Sequence, residues 1–60
     1  MVSGRSDLVE IACYVKIRRS RAIMINDGDK DVWLPLSLVE EYNDNMVVMP
    51  EWLAREKELI

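Results

Sequence analysis

Histidine is absent from this chain, and cysteine occurs once, at Cys13. A disulfide framework within one chain is thereby excluded, as is a zinc site of the usual cysteine and histidine type. The usual base for nucleophilic catalysis is missing for the same reason. Long apolar runs are lacking too: no stretch approaches the roughly 20 residues of a membrane span, and the opening MVSGRSDLVE holds no apolar signal-peptide segment. These absences predict a cytoplasmic protein with no metal, no cofactor and no membrane contact.

What is present fits a folded domain. With 60 residues the chain is short enough to form one domain, 1–60, and a domain of this size buries only about 60% of the surface that its unfolded form exposes. Stability is therefore marginal or borrowed from a partner. Half of the residues are hydrophobic, so the composition is globular rather than disordered. The net charge of −3 hides a polarity. Residues 1–25 carry five bases against two acids, whereas residues 26–60 carry nine acids against three bases. Such an uneven field favours oriented contact with a charged partner.

Period-two alternation dominates the first half. In LVEIACYVKIRRS the apolar positions Val9, Ile11, Cys13, Val15 and Ile17 fall in one phase, which predicts a half-buried strand with these five facing inward. AIMI resumes the phase after a turn around Ser20, NDGDKD is a strong hairpin signal, and DVWLP is a third strand stopped by Pro35. SLVE matches a capping box, Ser37 with Glu40, which predicts a helical turn through Tyr42. YNDN reads as a loop and MVVM as a last strand. PEWLAREKELI reads as a helix of about two to three turns, with Pro50 at its first position and a Glu51–Arg55 pair. Trp33 and Trp52 are expected in the core, Trp52 locking the helix onto the third strand. The predicted fold is α+β, a small antiparallel sheet of three to four strands with a short C-terminal helix.

Enzyme chemistry finds little footing. Cys13 lies at an inward strand position, where a thiol behaves as a small hydrophobe. Carboxylates become an acid and base pair only where their surroundings push their pKa values apart, and turn acids lack such surroundings. Asp27, Asp29 and Asp31 alternate as calcium ligands do, but counting from Asp27 the sixth and twelfth positions are Val32 and Leu38, where an EF-hand needs glycine and glutamate. The basic cluster with Arg18, Arg19 and Arg21 has only Tyr14 as an aromatic neighbour, so direct nucleic-acid binding is not expected. Asp27, Asp29, Asp31, Glu40, Glu41 and Asp44 are the better candidates, as carboxylates able to occupy a protein site built for phosphates.

The stretches AIMINDGDKDVWLPLSLVE and VVMPEWLAREKELI resemble a pattern of small proteins from phages, prophages and mobile elements, roughly vWLPkSqIe followed by vPeWLAekkGLI. The likeness spans residues 22–60. Leu36, Leu38 and Glu58 stand where that group often has lysine, glutamine and glycine. Some phage proteins of this size are anti-CRISPR inhibitors of type I Cascade, the RNA-guided DNA-binding complex. The resemblance implies an inhibitor in a bacterial cytoplasm that binds Cascade subunits and blocks target DNA through its acidic loops, in the manner of a DNA mimic. A small structural or adaptor module is the alternative, associating through a free sheet edge with Leu36 and Leu38, and a homodimer fits either reading.

Overall fold

The alternating segment forms two strands in near continuity, β1 (Leu8–Ala12) and β2 (Tyr14–Arg18), with Cys13 between them. In the computed structural model, which describes residues 7–60, this long strand passes from one sheet into another. β3 (Ala22–Asn26) and β4 (Asp31–Pro35) continue the chain, followed by a 3-10 turn at Leu36–Leu38, β5 (Glu41–Asn43), β6 (Met46–Pro50) and helix α1 (Glu51–Glu56). One three-stranded sheet has the order β1-β6-β5 and the other β2-β3-β4, and every pairing is antiparallel. The long strand joins them: the Cys13 N–H donates to Asn45 O at 3.0 Å, and the Val15 N–H to Asp44 O at 3.2 Å.

The α+β class and the short C-terminal helix agree with the sequence, as do the turn at Ser20, the Asp-Gly hairpin and the end of β4 at Pro35. Among the described residues the strands number six in two sheets, because the first alternating run divides at Cys13 and because residues 41–43 pair with β6. Gly28 has φ +100°, which explains glycine at the tip of the β3–β4 hairpin.

Between the sheets lies one core: Ile11, Val15, Ile23, Ile25, Leu34, Val47 and Met49, closed by Leu53 and Ala54 of α1. Ile23, Ile25, Leu34, Val47 and Met49 are fully buried. Burying each of these large side chains stabilises the fold by roughly 1.5–3 kcal/mol.

Several expectations are corrected. No capping box forms: the turn at Leu36–Leu38 has no side-chain cap, Val39 leaves it in extended conformation, and residues 41–43 form strand β5 rather than helix. Backbone pairing to β6 wins there, with the Glu40 N–H donating to Val48 O at 2.9 Å. The helix has six residues, shorter than two turns, and Pro50 is its N-cap rather than its first residue. Trp33 and Trp52 are not core residues; they are 41% and 51% exposed.

Ile17 also departs from its expected place. The register pairs Val15 with Ile25 but Ile17 with Met24, so Lys16 is an extra residue in β2. A bulge of this kind lets two residues oppose one and resets the phase of the strand. Val15 thereby joins the buried Ile25, while Ile17 turns outward beside Met24; neither Ile17 nor Met24 packs against the core.

The helix end is closed by paired backbone bonds. The Leu59 N–H donates to Ala54 O at 2.8 Å and the Glu58 N–H to Arg55 O at 3.0 Å, with Glu58 at φ +60°. This is a Schellman closure with a glutamate in the left-handed position that glycine usually fills. Glu58 therefore carries the steric cost of a side chain in the left-handed region.

Candidate functional site

The six candidate acids are divided between the two sheets. Asp27, Asp29 and Asp31 occupy the β3–β4 hairpin. Glu41 lies on the other sheet, in register with Val48, which pairs in turn with Glu10. Glu40 precedes that strand, and Asp44 sits in the β5–β6 turn.

Three of the acids are committed within the chain. Asp27 Oδ1 accepts the N–H groups of Asp29 and Lys30, both at 2.9 Å, and its Oδ2 meets Lys30 Nζ at 3.2 Å. The Lys30 and Asp29 N–H bonds, followed by the Lys30 ammonium, hold the Asp27 carboxyl below its ordinary value. Asp31 accepts Asn26 Nδ2 at 2.9 Å and Lys16 Nζ at 3.2 Å, and these two contacts, Asn26 first, lower its pKa. Asp44 pairs with the guanidinium of Arg18. Asp29, Glu40 and Glu41 are exposed and make no ion pair among the described residues.

Lys30 also donates to Glu58 O at 2.8 Å, tying the acidic hairpin to the C-terminal end of the helix. Leu36 is half-buried against the core, its N–H bonded to Arg21 O at 2.9 Å, and it borders a shallow depression with Ser20, Arg21 and Ser37. Leu38 is exposed. Cys13 is partly buried against the core, and burial, then the charge of Asp27, pushes its thiol up in pKa, away from the reactive thiolate. No cluster of three or more metal-ligating side chains occurs among the described residues, and no helix there is long and apolar enough to cross a membrane.

The surface with a built character is the outer face of the β2-β3-β4 sheet. Ile17, Met24 and Trp33 stand side by side across its strands. The adjoining row is Tyr14, Asn26 and Asp31, with Tyr14 60% exposed. Lys16, bound to Asp31, crosses the edge of the patch. One end of the face carries the exposed Arg19 and Arg21 in the β2–β3 turn, and the other carries the acidic hairpin. Aromatic side chains standing free on a rigid sheet are rigid anchors of the kind that dominate binding energy at interfaces.

Alternation holds a signal for three of these four residues, Tyr14 lying between the inward Cys13 and Val15. Val32 and Leu34 point inward, so Trp33 between them must point outward; Ile23 and Ile25 place Met24 in the same way. Ile17 had no such signal, because the bulge depends on pairing across the hairpin.

No family model matches the chain, and no curated protein and no solved structure matches it either.

Proposed function

We propose that this chain is a protein-binding module that inhibits a DNA-targeting complex of the type I Cascade kind by covering a basic, DNA-binding surface. The observation that carries the reading is the row Ile17–Met24–Trp33, an apolar strip on the solvent side of a sheet that already has a core on its other side. Trp33 is exposed and Ile17 and Met24 are half-buried beside it, and an apolar group on a solvent face is a feature of contact sites. Trp33 and Tyr14 act as anchors, while the acidic hairpin beside them steers the contact toward lysine and arginine.

Within this reading the acids work unequally. Asp27, Asp31 and Asp44 are partly neutralised by Lys30, Lys16 and Arg18, so Asp29 is the hairpin carboxylate left to meet a partner's cation. The resemblance of residues 22–60 supplies the target class, and the face supplies the means of contact.

The test is a gel shift of target duplex DNA by purified Cascade, with wild-type chain and with Trp33→Ala. Loss of the shifted band with wild type, and its return with Trp33→Ala, is the expected result. An unchanged band with wild type rejects Cascade as the target. A shift of labelled DNA by the chain alone would assign the aromatic face to nucleic acid instead, with Arg19 and Arg21 as phosphate contacts.

The adaptor reading has its own support: β1, β2, β4 and β5 each pair on one side only among the described strands, leaving sheet edges for strand addition. Salt separates the two. Binding steered by acids weakens steeply with ionic strength, whereas edge pairing holds.

A further inference from the structure

We infer that in the free protein the outer face of the β2-β3-β4 sheet is covered by a second copy of this chain, placed antiparallel across a two-fold axis, and that a target must displace that copy. The inference rests on the partner-binding reading of the same face and adds its regulation.

The argument begins with where the charges fall. Met24 is the central residue of the five-residue strand β3. One end of that strand leads from the turn with Arg19 and Arg21, and the other leads into the hairpin with Asp29. The apolar row Ile17–Met24–Trp33 thus lies midway between a basic end and an acidic end, each reached within about 9 Å of strand.

A symmetric pair must bring the same patch of both copies together. Two sheets meeting face to face have two simple two-fold arrangements. With the axis along the strands, acidic hairpin meets acidic hairpin and arginine meets arginine, which is repulsive. With the axis along the row Ile17–Met24–Trp33, the ends exchange. Each acidic hairpin then faces the other copy's arginine turn, and the apolar row lies on its own counterpart, Trp33 against Trp33. Tyr14, displaced from that row toward the acidic end of β2, comes over the arginine turn, where a guanidinium can rest on its ring.

The opposite sheet cannot pair in this manner. Its corresponding middle row is Glu10–Val48–Glu41, and a two-fold contact would press carboxylates onto carboxylates. Face-to-face pairing is therefore confined to one sheet.

Its strength is limited by area. Three strands of about 17 Å, spaced about 4.8 Å, give a footprint of roughly 240 Å² per copy, well under the roughly 800 Å² per partner of a standard interface. The pair is therefore weak and exchanges readily, which suits a surface that must be given up to a target.

Sedimentation equilibrium of the whole chain from micromolar to millimolar concentration tests this directly. Wild type is expected to pass from monomer to dimer. One variant, Arg19→Glu with Arg21→Glu, carries acid at both ends of the face; another, Asp29→Lys, weakens the acidic end. Each alone is expected to dimerise at least about tenfold more weakly than wild type, because like charges then meet in both copies. An equimolar mixture of the two is expected to recover dimer, since each end again finds its opposite. These residues are exposed, so circular dichroism should report an unchanged fold. Wild type that stays monomeric at every concentration overturns the inference, as does a dimer that neither variant weakens. The Cascade assay is independent: inhibition by a strictly monomeric chain keeps the partner reading and removes this inference, while a charge-swapping dimer without inhibition does the reverse.

Discussion

The two sheets share one core and differ in what they show to water. Both are antiparallel and three-stranded, and both contribute alternate residues to the same buried cluster. On the outside, the middle row of one is Glu10–Val48–Glu41 and that of the other is Ile17–Met24–Trp33. In the first, a single half-buried valine sits between two carboxylates, the usual way to keep a sheet face solvated. In the second, three apolar side chains lie together without a charge between them. Folding requires only the inner faces to be apolar, and the core of this chain does not include the outer tryptophan row.

The largest expected effect comes from crossing between faces within one strand. Leu34→Ala empties a fully buried position and should cost about 2–5 kcal/mol. A domain of this length holds on the order of 3–9 kcal/mol in all, so thermal melts of the variant should lose most or all of their cooperative transition. Trp33→Ala, one residue away, should stay within about 1 kcal/mol of wild type. Equal losses at the two positions would mean that Trp33 is structural after all.

A second experiment makes the outer faces alike. Ile17→Glu with Trp33→Glu turns the apolar row into a carboxylate row like that of the other sheet. The fold should survive, because neither side chain packs on the core, and the midpoint of unfolding should move by only a few degrees. Self-association and inhibition should both vanish. A variant that folds and still dimerises would place the contact elsewhere.

How much of this was legible depends on the kind of interaction. The strands other than β5, the hairpin at Asn26–Asp31 and the end of β4 at Pro35 follow from local alternation and turn chemistry, which need no partner. The facing of Ile17 does not, because the bulge at Lys16 arises only when β2 meets β3 in the register set by their turn. The capping-box residues Ser37 and Glu40 were misleading for a similar reason: the Glu40 N–H bonds across to Val48, a contact 8 residues away in sequence and invisible to a four-residue motif. The six acids were visible as acids, but their ion pairs with Lys16, Arg18 and Lys30 were not, since two of those bases lie in the distant first half of the chain.

The junction between the sheets offers a smaller effect. Glu58, at φ +60°, ends the helix and accepts Lys30 Nζ through its carbonyl. Glu58→Gly removes the steric cost of a side chain in the left-handed region and keeps that carbonyl, so it should stabilise the chain by about 1 kcal/mol. Denaturant midpoints of the two proteins check this. A loss of stability would show that the Glu58 side chain itself helps to hold the two sheets together.

The smallest effect concerns pH at the same junction. In the folded chain, the N–H bonds of Lys30 and Asp29 and the Lys30 ammonium hold Asp27 below its ordinary pKa. A carboxyl depressed by folding contributes stability above its unfolded pKa, about 3.9, and that contribution is lost as pH falls through the folded value. Asp27→Asn keeps an oxygen for the two backbone N–H groups but cannot titrate. Its stability should therefore fall less steeply than that of wild type below about pH 4. Asp31 is lowered in the same direction by Asn26 and Lys16, so some acid sensitivity should persist in Asp27→Asn and diminish further when Asp31→Asn is added. The same substitution has a second readout at the strand crossing. The charge of Asp27 helps to raise the Cys13 thiol, after burial, so Asp27→Asn should shift the pH profile of Cys13 alkylation toward lower pH. An unmoved thiol profile together with an unchanged acid slope would mean that the Asp27 charge acts neither on the hairpin nor on the crossing point of the two sheets.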